Sequence, residues 1–334
     1  MKKFEEKIWQ EGEYDYSAAY GFVPNIHAYL HDDDEERDCM LVVPGGAYCM
    51  VVPPEGNVPA LEFYEKGMNV FVLTYTTDIT TSFPLKKQPL NDIARAVRFI
   101  RKRENAYRIA GKKFFVCGFS AGGHVCASLA VHYMDVEEKN PEYASVSCKP
   151  TGAILCYPVI TSGEFSHEFS FVSLLGKDAS KEEMEYFSIE KQVTKETVPC
   201  FIWQTATDDL VPVENSYLMA KALREKGVPF AHYVFPTGFH GLSVPTADFF
   251  AGKFEEYTMD QVFRAVKAVK EGKGIEVSEQ RCEELKVQFA DKPENQESDS
   301  NGNGGSQFSD ADPLTLFKDV RMWPDLAMEW MGRL

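Results

Sequence analysis

Long apolar runs are missing from this sequence. No stretch approaches the ~18 uninterrupted apolar residues that a membrane-spanning helix needs, and the two lysines of the opening M-K-K-F-E-E-K-I-W-Q-E-G are not followed by the apolar core of a secretion signal. The expectation is a soluble, cytoplasmic protein without a membrane span. Positive charge is scarce as well: 35 Lys and Arg stand against 51 Asp and Glu, a formal net charge of −16. Phosphate backbones are bound by clustered cations that displace counterions, so nucleic acid is not an expected partner. The eight cysteines (39, 49, 117, 126, 148, 156, 200 and 282) include no C-x-x-C pair and sit mostly within apolar runs, as buried free thiols do. Neither a disulfide framework nor a metal site is expected, because no clustered ligand spacing occurs.

The sequence is rich in core material. Its 334 residues, 44% apolar and 13% aromatic, suffice for one large α/β domain or two small ones. Short apolar runs at 26–30, 39–43, 70–75, 114–117, 153–157, 201–203 and 231–235 alternate with helical patterns, which predicts a mostly parallel sheet flanked by helices. In L-N-D-I-A-R-A-V-R-F-I-R the apolar residues fall at 90, 93, 94, 97 and 100, near the helical period, with arginines on the other face. A second such helix runs from Glu214 to Lys226 and stops at Gly227. The charge run Asp32–Glu36 reads as a solvated hairpin turn between two strands.

Two stretches break this rhythm. Residues 158–198 run about forty residues between strands, mixing aromatics, serines and glutamates, and form a candidate lid over a sheet end. Residues 292–312 are polar and glycine-rich, and that composition predicts disorder. They are not read as a terminal tail, because W-P-D-L-A-M-E-W-M at 323–331 has the pattern of an amphipathic helix returning to the core.

The stretch C-G-F-S-A-G-G at 117–123 lies between the apolar run F-F-V and the helical H-V-C-A-S-L-A-V. A serine hydroxyl is a weak nucleophile at neutral pH; covalent chemistry requires a base, an acid that orients the base, and donors for the oxyanion. Here Gly118 and Gly122 clear side chains from a sharp strand-to-helix turn with Ser120 at its tip, and Gly123 lets the helix approach the sheet. In a strand–elbow–helix context the acid and then the histidine follow in the chain. Five histidines follow Ser120. His124 and His132 lie on the elbow helix and point along it, His232 falls in an alternating strand, and His240 sits on a glycine-flanked loop after that strand, which favours His240. The acid is expected at the end of the preceding strand, where Asp208 and Asp209 both stand. One oxyanion donor is expected from Ala121. The other comes from P-G-G-A-Y after M-L-V-V, with Gly46 as the main donor and Gly45 or Ala47 assisting. Tyr48, Phe119 and Tyr157, with Phe165, are expected near the acyl or alcohol side of a modest pocket.

Taken together, P-G-G-A-Y, G-F-S-A-G-G-H, D-D-L-V-P-V-E-N-S and G-F-H-G-L resemble the α/β-hydrolase esterases of the acetylesterase and acetyl-xylan-esterase-like branch related to hormone-sensitive lipase. The similarity runs from about residue 20 to 250 and includes L-C-Y-P-V-I-T-S-G-E-F at 155–165. The resemblance implies an α/β-hydrolase fold in a single domain over 1–334, and a catalytic triad of Ser120, Asp208 and His240. Asp208 is chosen because the acid of such proteins stands four residues before the proline of a D-x-x-V-P turn. It also implies a serine hydrolase of short-chain carboxylic esters, first among them acetyl esters of carbohydrates or small alcohols, working without a cofactor on a small-molecule substrate. Two departures stand out: Pro44 and Ala47 replace parts of the H-G-G-G of lipase-like members, and residues 251–318 read as an insertion before the last helix, serving as extra lid or interaction surface. The alternative activities are an arylformamidase or a small peptidase on the same fold. A silent ligand-binding protein would be expected to lack a triad member.

Overall fold

The computed structural model describes residues 1–290 and 312–334. The apolar runs become the strands β2 (Asn25–Leu30), β3 (Cys39–Val43), β4 (Asn69–Thr74), β5 (Phe114–Phe119), β6 (Gly152–Cys156), β7 (Cys200–Thr205) and β8 (Phe230–Phe235), preceded by β1 (Lys2–Lys7). They form one sheet in the order β1-β2-β4-β3-β5-β6-β7-β8. Only the pairings of β2 with β1 and β4 are antiparallel; the rest are parallel.

Side-chain alternation along the strands divides the core in two. Cys39, Leu41 and Val43 of β3 and Phe114 and Val116 of β5 enter one apolar cluster, while Met40, Val42, Phe115, Cys117 and Phe119 enter the other. All eight cysteines carry free thiols, seven of them buried.

β1 has no counterpart among the expected strands. Its K-K-F-E-E-K composition suits an edge strand, where charge discourages pairing with another chain, and only Phe4 turns toward the core. The charge run Asp32–Glu36 is a solvated turn but not a hairpin. β4 lies between β2 and β3, so the run is part of a crossover, and its acids clamp the chain ahead of β5: Glu36 accepts the Ala110 N–H and Asp34 pairs with Arg108.

The helix Gln88–Lys102 buries Leu90, Ile93, Ala94, Val97 and Ile100 as its period requires. Its opposite face is not left to solvent. Arg95 lies between Glu13 (2.7 Å) and Glu138 (2.6 Å) with its guanidinium over the Trp9 ring. The helix Glu214–Lys226 ends at Gly227, whose left-handed φ of 70° caps it.

Residues 158–198 carry three short helices, Glu168–Leu175, Lys181–Tyr186 and Ile189–Gln192. The segment is fastened to the body of the fold. Asn215 accepts the N–H groups of Ile160 and Thr161 and donates to the Phe165 carbonyl, and His124 and His132 donate from Nε2 to the carbonyls of Phe187 and Tyr186.

The described part of 251–318 packs a third, smaller core. The helices Asp260–Lys270 and Glu279–Gln288 bring Val262, Ala265, Val266, Val269 and Leu285 against Cys49 and Ile79. Gln261 pairs with both backbone groups of Thr77. The expected disorder at 292–312 lies outside the described residues except at Asp312, whose carboxylate caps the helix Pro313–Leu316.

The final helix, Trp323–Gly332, docks on the sheet. Trp323 stacks on Trp203, meets Phe63 and Phe119 edge-on, and donates its indole N–H to the Ser243 carbonyl at 2.7 Å. Trp323→Ala removes a fully buried indole, so chemical denaturation should register a loss of about 3–5 kcal/mol; a loss under ~1 kcal/mol would contradict this packing.

Candidate active site

Ser120 occupies the turn where β5 becomes the helix Ser120–His132, with a φ of 52°, a left-handed conformation that costs a non-glycine residue energy and is held only by tight surroundings. Those surroundings are backbone. A Cβ on Gly122 would lie 2.1 Å from the Val43 carbonyl oxygen and 2.4 Å from that of Pro44; one on Gly118 would lie 2.2 Å from the Gly122 oxygen. Gly123 faces Pro158, whose Cβ would be 2.9 Å away. The turn thus needs glycine at these places for contact, not merely for flexibility.

Three side chains converge in one hydrogen-bonded line. His240 Nε2 is 2.8 Å from Ser120 Oγ, and His240 Nδ1 is 2.9 and 3.0 Å from the two oxygens of Asp208. A carboxylate only accepts, so Nδ1 carries the proton and Nε2 is left to accept from the serine hydroxyl. The Asp208 carboxylate is 1% exposed and further fixed by the N–H groups of Leu210 and Val211 and the Gln204 amide. Asp209 points elsewhere: it accepts the backbone N–H of His240 at 3.0 Å, holding the loop that presents the ring. The same loop is tied to the end of β7, because the hydroxyls of Thr205 and Thr207 both donate to the Gly238 carbonyl. Of the other histidines, His124 and His132 bond to the 158–198 segment, and His232 bonds Ser216 Oγ.

The glycine loop after β3 is pinned through its carbonyls. Pro44 O accepts from Tyr75 Oη, Gly45 O from Val52 N–H, Gly46 O from Cys49 N–H and Tyr48 O from Asp78 N–H. Gly46 has a φ of 124° and Ala47 one of 52°. Among the described residues nothing in the protein accepts from the N–H of Gly46 or Ala47, and Ala121, second in its helix, has an N–H without a partner a turn earlier. Gly45, expected to assist, is not available: its N–H is taken by the carboxylate of Glu55 at 2.6 Å.

Two of the expected pocket residues are not on a contact surface. Phe119 is wholly buried against Trp323 and Tyr157. Tyr48 is buried too, its hydroxyl 2.5 Å from His124 Nδ1, so it fastens the glycine loop to the elbow helix. Burial lowers the His124 pKa to about 4, and the neutral ring donates from Nε2 to Phe187 while accepting from Tyr48. Tyr157 lies behind the site, its ring centroid 5.0 Å from that of His240 and its hydroxyl donating to Glu55.

Glu55 is the site residue that sequence reasoning missed. Glu55 stands in none of the motifs, yet its carboxyl group is buried, and burial raises its pKa, an effect that the Gly45 N–H, His240 and the Tyr157 hydroxyl offset only in part. His167, on the 158–198 segment, has its pKa lowered by burial and then by His240, with Asp208 opposing, and its Nδ1 lies 2.8 Å from Ser170 Oγ.

An eight-stranded sheet in this order, with a serine elbow between its fifth strand and the following helix, is an α/β-hydrolase fold. The chain belongs to the BD-FAE family, whose model matches residues 27–223. It is similar to endo-1,4-beta-xylanase B of Butyrivibrio fibrisolvens, at 62% identity over 270 residues covering 80% of this chain and 42% of that protein. It is also similar to an acetylxylan esterase of Xylanibacter ruminicola, at 29% identity, covering 61% and 41% of the two chains. The chain thus spans well under half the length of these curated relatives. Among solved structures it is similar to an acetyl ester-xyloside bifunctional hydrolase from Caldicellulosiruptor lactoaceticus, with a TM-score of 0.68 and 32% identity over 81% of this chain and 97% of that one. An α/β hydrolase from a Medee basin deep-sea metagenome shares the fold at a TM-score of 0.55 and 24% identity, over 86% of this chain and 97% of that one. Among the described residues no helix is long and apolar enough to cross a membrane.

Neutral His124 makes the fold sensitive to acid. Its folded pKa of about 4 lies below the ordinary histidine value, so between about pH 6.5 and 4 the unfolded chain binds more protons than the folded one, and stability falls as pH falls. Denaturation at pH 7 and pH 5 should show His124→Gln losing about 2 kcal/mol less than the parent over that interval. Equal losses would contradict a buried neutral ring.

Proposed function

We propose that this protein is a serine esterase that removes short acyl groups, acetyl above all, from carbohydrates or small alcohols through an acyl-enzyme. The observation that carries this reading is the unbroken line Ser120–His240–Asp208 at 2.8 and 2.9 Å. His240, held in one tautomer by Asp208, takes the serine proton as Oγ attacks the ester carbonyl. The N–H groups of Gly46 and Ala121, with Ala47 assisting, hold the tetrahedral oxyanion; removing one such donor typically costs about 10²–10³ in rate. The imidazolium protonates the leaving alcohol, and a water activated by His240 then releases the acid.

The names of the relatives support carbohydrate acetyl esters as the substrate class. A glycosidase reading is suggested by the same names, but glycoside cleavage needs two carboxyl groups free to work on a sugar. The two beside the serine are engaged, Asp208 with His240 and Glu55 with Gly45 and Tyr157. We read residues 1–334 as one hydrolase domain, 158–198 as its lid and residues 251–290 as a buttress on the Cys49–Met50 side of the glycine loop. We assign the protein to the cytoplasm, a reading that the eight free thiols support.

A p-nitrophenyl ester series from acetate to decanoate should show a short-chain optimum, and a long-chain preference would remove the acetylesterase reading. Acetate release from acetylated xylo-oligosaccharides should exceed turnover of N-formylkynurenine, of N-acyl amino-acid amides and of p-nitrophenyl β-xyloside. Ser120→Ala should abolish turnover without unfolding the protein; retained activity would overturn the mechanism. Asp208→Asn should lower kcat by about 10³–10⁴. Asp209→Asn keeps an acceptor for the His240 N–H and should stay within roughly fivefold of the parent.

A further inference from the structure

Glu55 is the buried carboxyl group at the site that the mechanism above leaves unused. It ends the short 3-10 turn Pro53–Glu55, is 2% exposed, and engages both oxygens at once. Oε2 accepts the Gly45 N–H at 2.6 Å and Oε1 accepts the Tyr157 hydroxyl at 2.8 Å. The packing around it leaves no slack: a Cβ built on Gly45 would lie 2.6 Å from the Phe119 carbonyl oxygen, 2.7 Å from Ser120 Cβ and 2.9 Å from Glu55 Oε2. Carboxylate, glycine turn and nucleophile therefore occupy one contact. The other partner, Tyr157, has a φ of 36°, follows directly on β6, and sets its ring against His240 at 5.0 Å between centroids.

A buried carboxyl group is costly to keep, and a structural peg for one backbone N–H could be neutral. Ionised, the group accepts from both at once, whereas a protonated carboxyl would accept the Gly45 N–H on one oxygen and donate from the other to the Tyr157 hydroxyl, which can also accept. The charge-assisted bonds of the ionised form are shorter and about twice as strong as neutral ones. We infer that Glu55 is a positioning residue which, as an anion, clamps the Gly45 turn and Tyr157 together, and so sets the Gly46 and Ala47 N–H groups and the His240 ring against Ser120. This inference rests on the serine-esterase reading. Glu55 touches no reacting atom; it acts through the oxyanion loop before attack and through the wall behind the imidazole.

The test compares Glu55→Gln, which keeps the shape and removes the charge, with Glu55→Asp, which keeps the charge on a shorter arm. With p-nitrophenyl acetate, Glu55→Gln should lower kcat about 10- to 100-fold while KM moves less than about threefold, since the loss falls on the tetrahedral anion and not on ground-state binding. Affinity for phenylboronic acid, which forms a tetrahedral anion on the serine, should fall in step with kcat. Glu55→Asp should recover part of both. Tyr157→Phe, which removes one of the two donors, should lower kcat about 3- to 10-fold at unchanged KM and gives a second route should the Glu55 variants fold poorly. The inference is overturned if Glu55→Gln keeps kcat and boronate affinity within twofold, if Glu55→Asp is no better than Glu55→Gln, or if Tyr157→Phe turns over as the parent does. An active Glu55→Gln beside an inactive Ser120→Ala would sink only the clamp, whereas an active Ser120→Ala would sink the esterase reading itself.

Discussion

The carboxyl edge of this sheet depends on the near-contact of two stretches of backbone, the Val43–Pro44 carbonyls at the end of β3 and the elbow at Gly122. Any Cβ at Gly122 would fall within 2.4 Å of both oxygens, a distance at which one chain must move. Glycine there allows the loop after β3 and the turn after β5 to sit side by side, which brings the free N–H groups of Gly46 and Ala47 to the same edge as that of Ala121. The left-handed backbone of Ser120 is sustained by this packing and not by local preference. Substituting a larger residue would separate the nucleophile from its donors before any catalytic side chain was touched.

Around that contact, each acidic group near the site has a separate task. Asp208 orients the His240 ring and is itself fixed by two backbone N–H groups. Asp209 holds the backbone of the same histidine, and Glu55 holds the glycine loop. Because each carboxylate is met by donors, the desolvation cost of placing it there is offset locally. Tyr48 and His124 add a neutral link from the glycine loop to the elbow helix, and from there to the 158–198 segment through Phe187.

Much of this is legible in the sequence. Seven strands announced themselves as apolar runs because a parallel sheet is buried on both faces, and the serine turn was readable from the spacing of its glycines. The first strand was not, since an edge strand carries charge for the same reason that it stays unpaired. The burial of Arg95 was hidden as well: an arginine reads as a surface residue until its partners, Glu13 and Glu138, arrive from distant parts of the chain. Glu55, which stands in no motif, and Tyr48, expected in the pocket, escape the sequence for a related reason. P-P-E-G has the composition of an exposed turn and a tyrosine after P-G-G-A invites a place in the pocket, whereas what each does is decided by a group more than 75 residues away, Tyr157 in one case and His124 in the other. The contribution of 251–290 was equally out of reach, because its apolar face is matched to Cys49 and Ile79 and not to anything near it in sequence.

The central claim is that Ser120 carries an acyl group during turnover. Mixing the protein with p-nitrophenyl acetate, quenching in acid within the first turnover and mapping peptides by mass spectrometry tests it directly. The account predicts one acetyl group on the peptide that contains Ser120, appearing in step with the first equivalent of p-nitrophenol. Acetyl found on another residue, or p-nitrophenol released with no acetylated peptide when hydrolysis of the intermediate is the slow step, would contradict it.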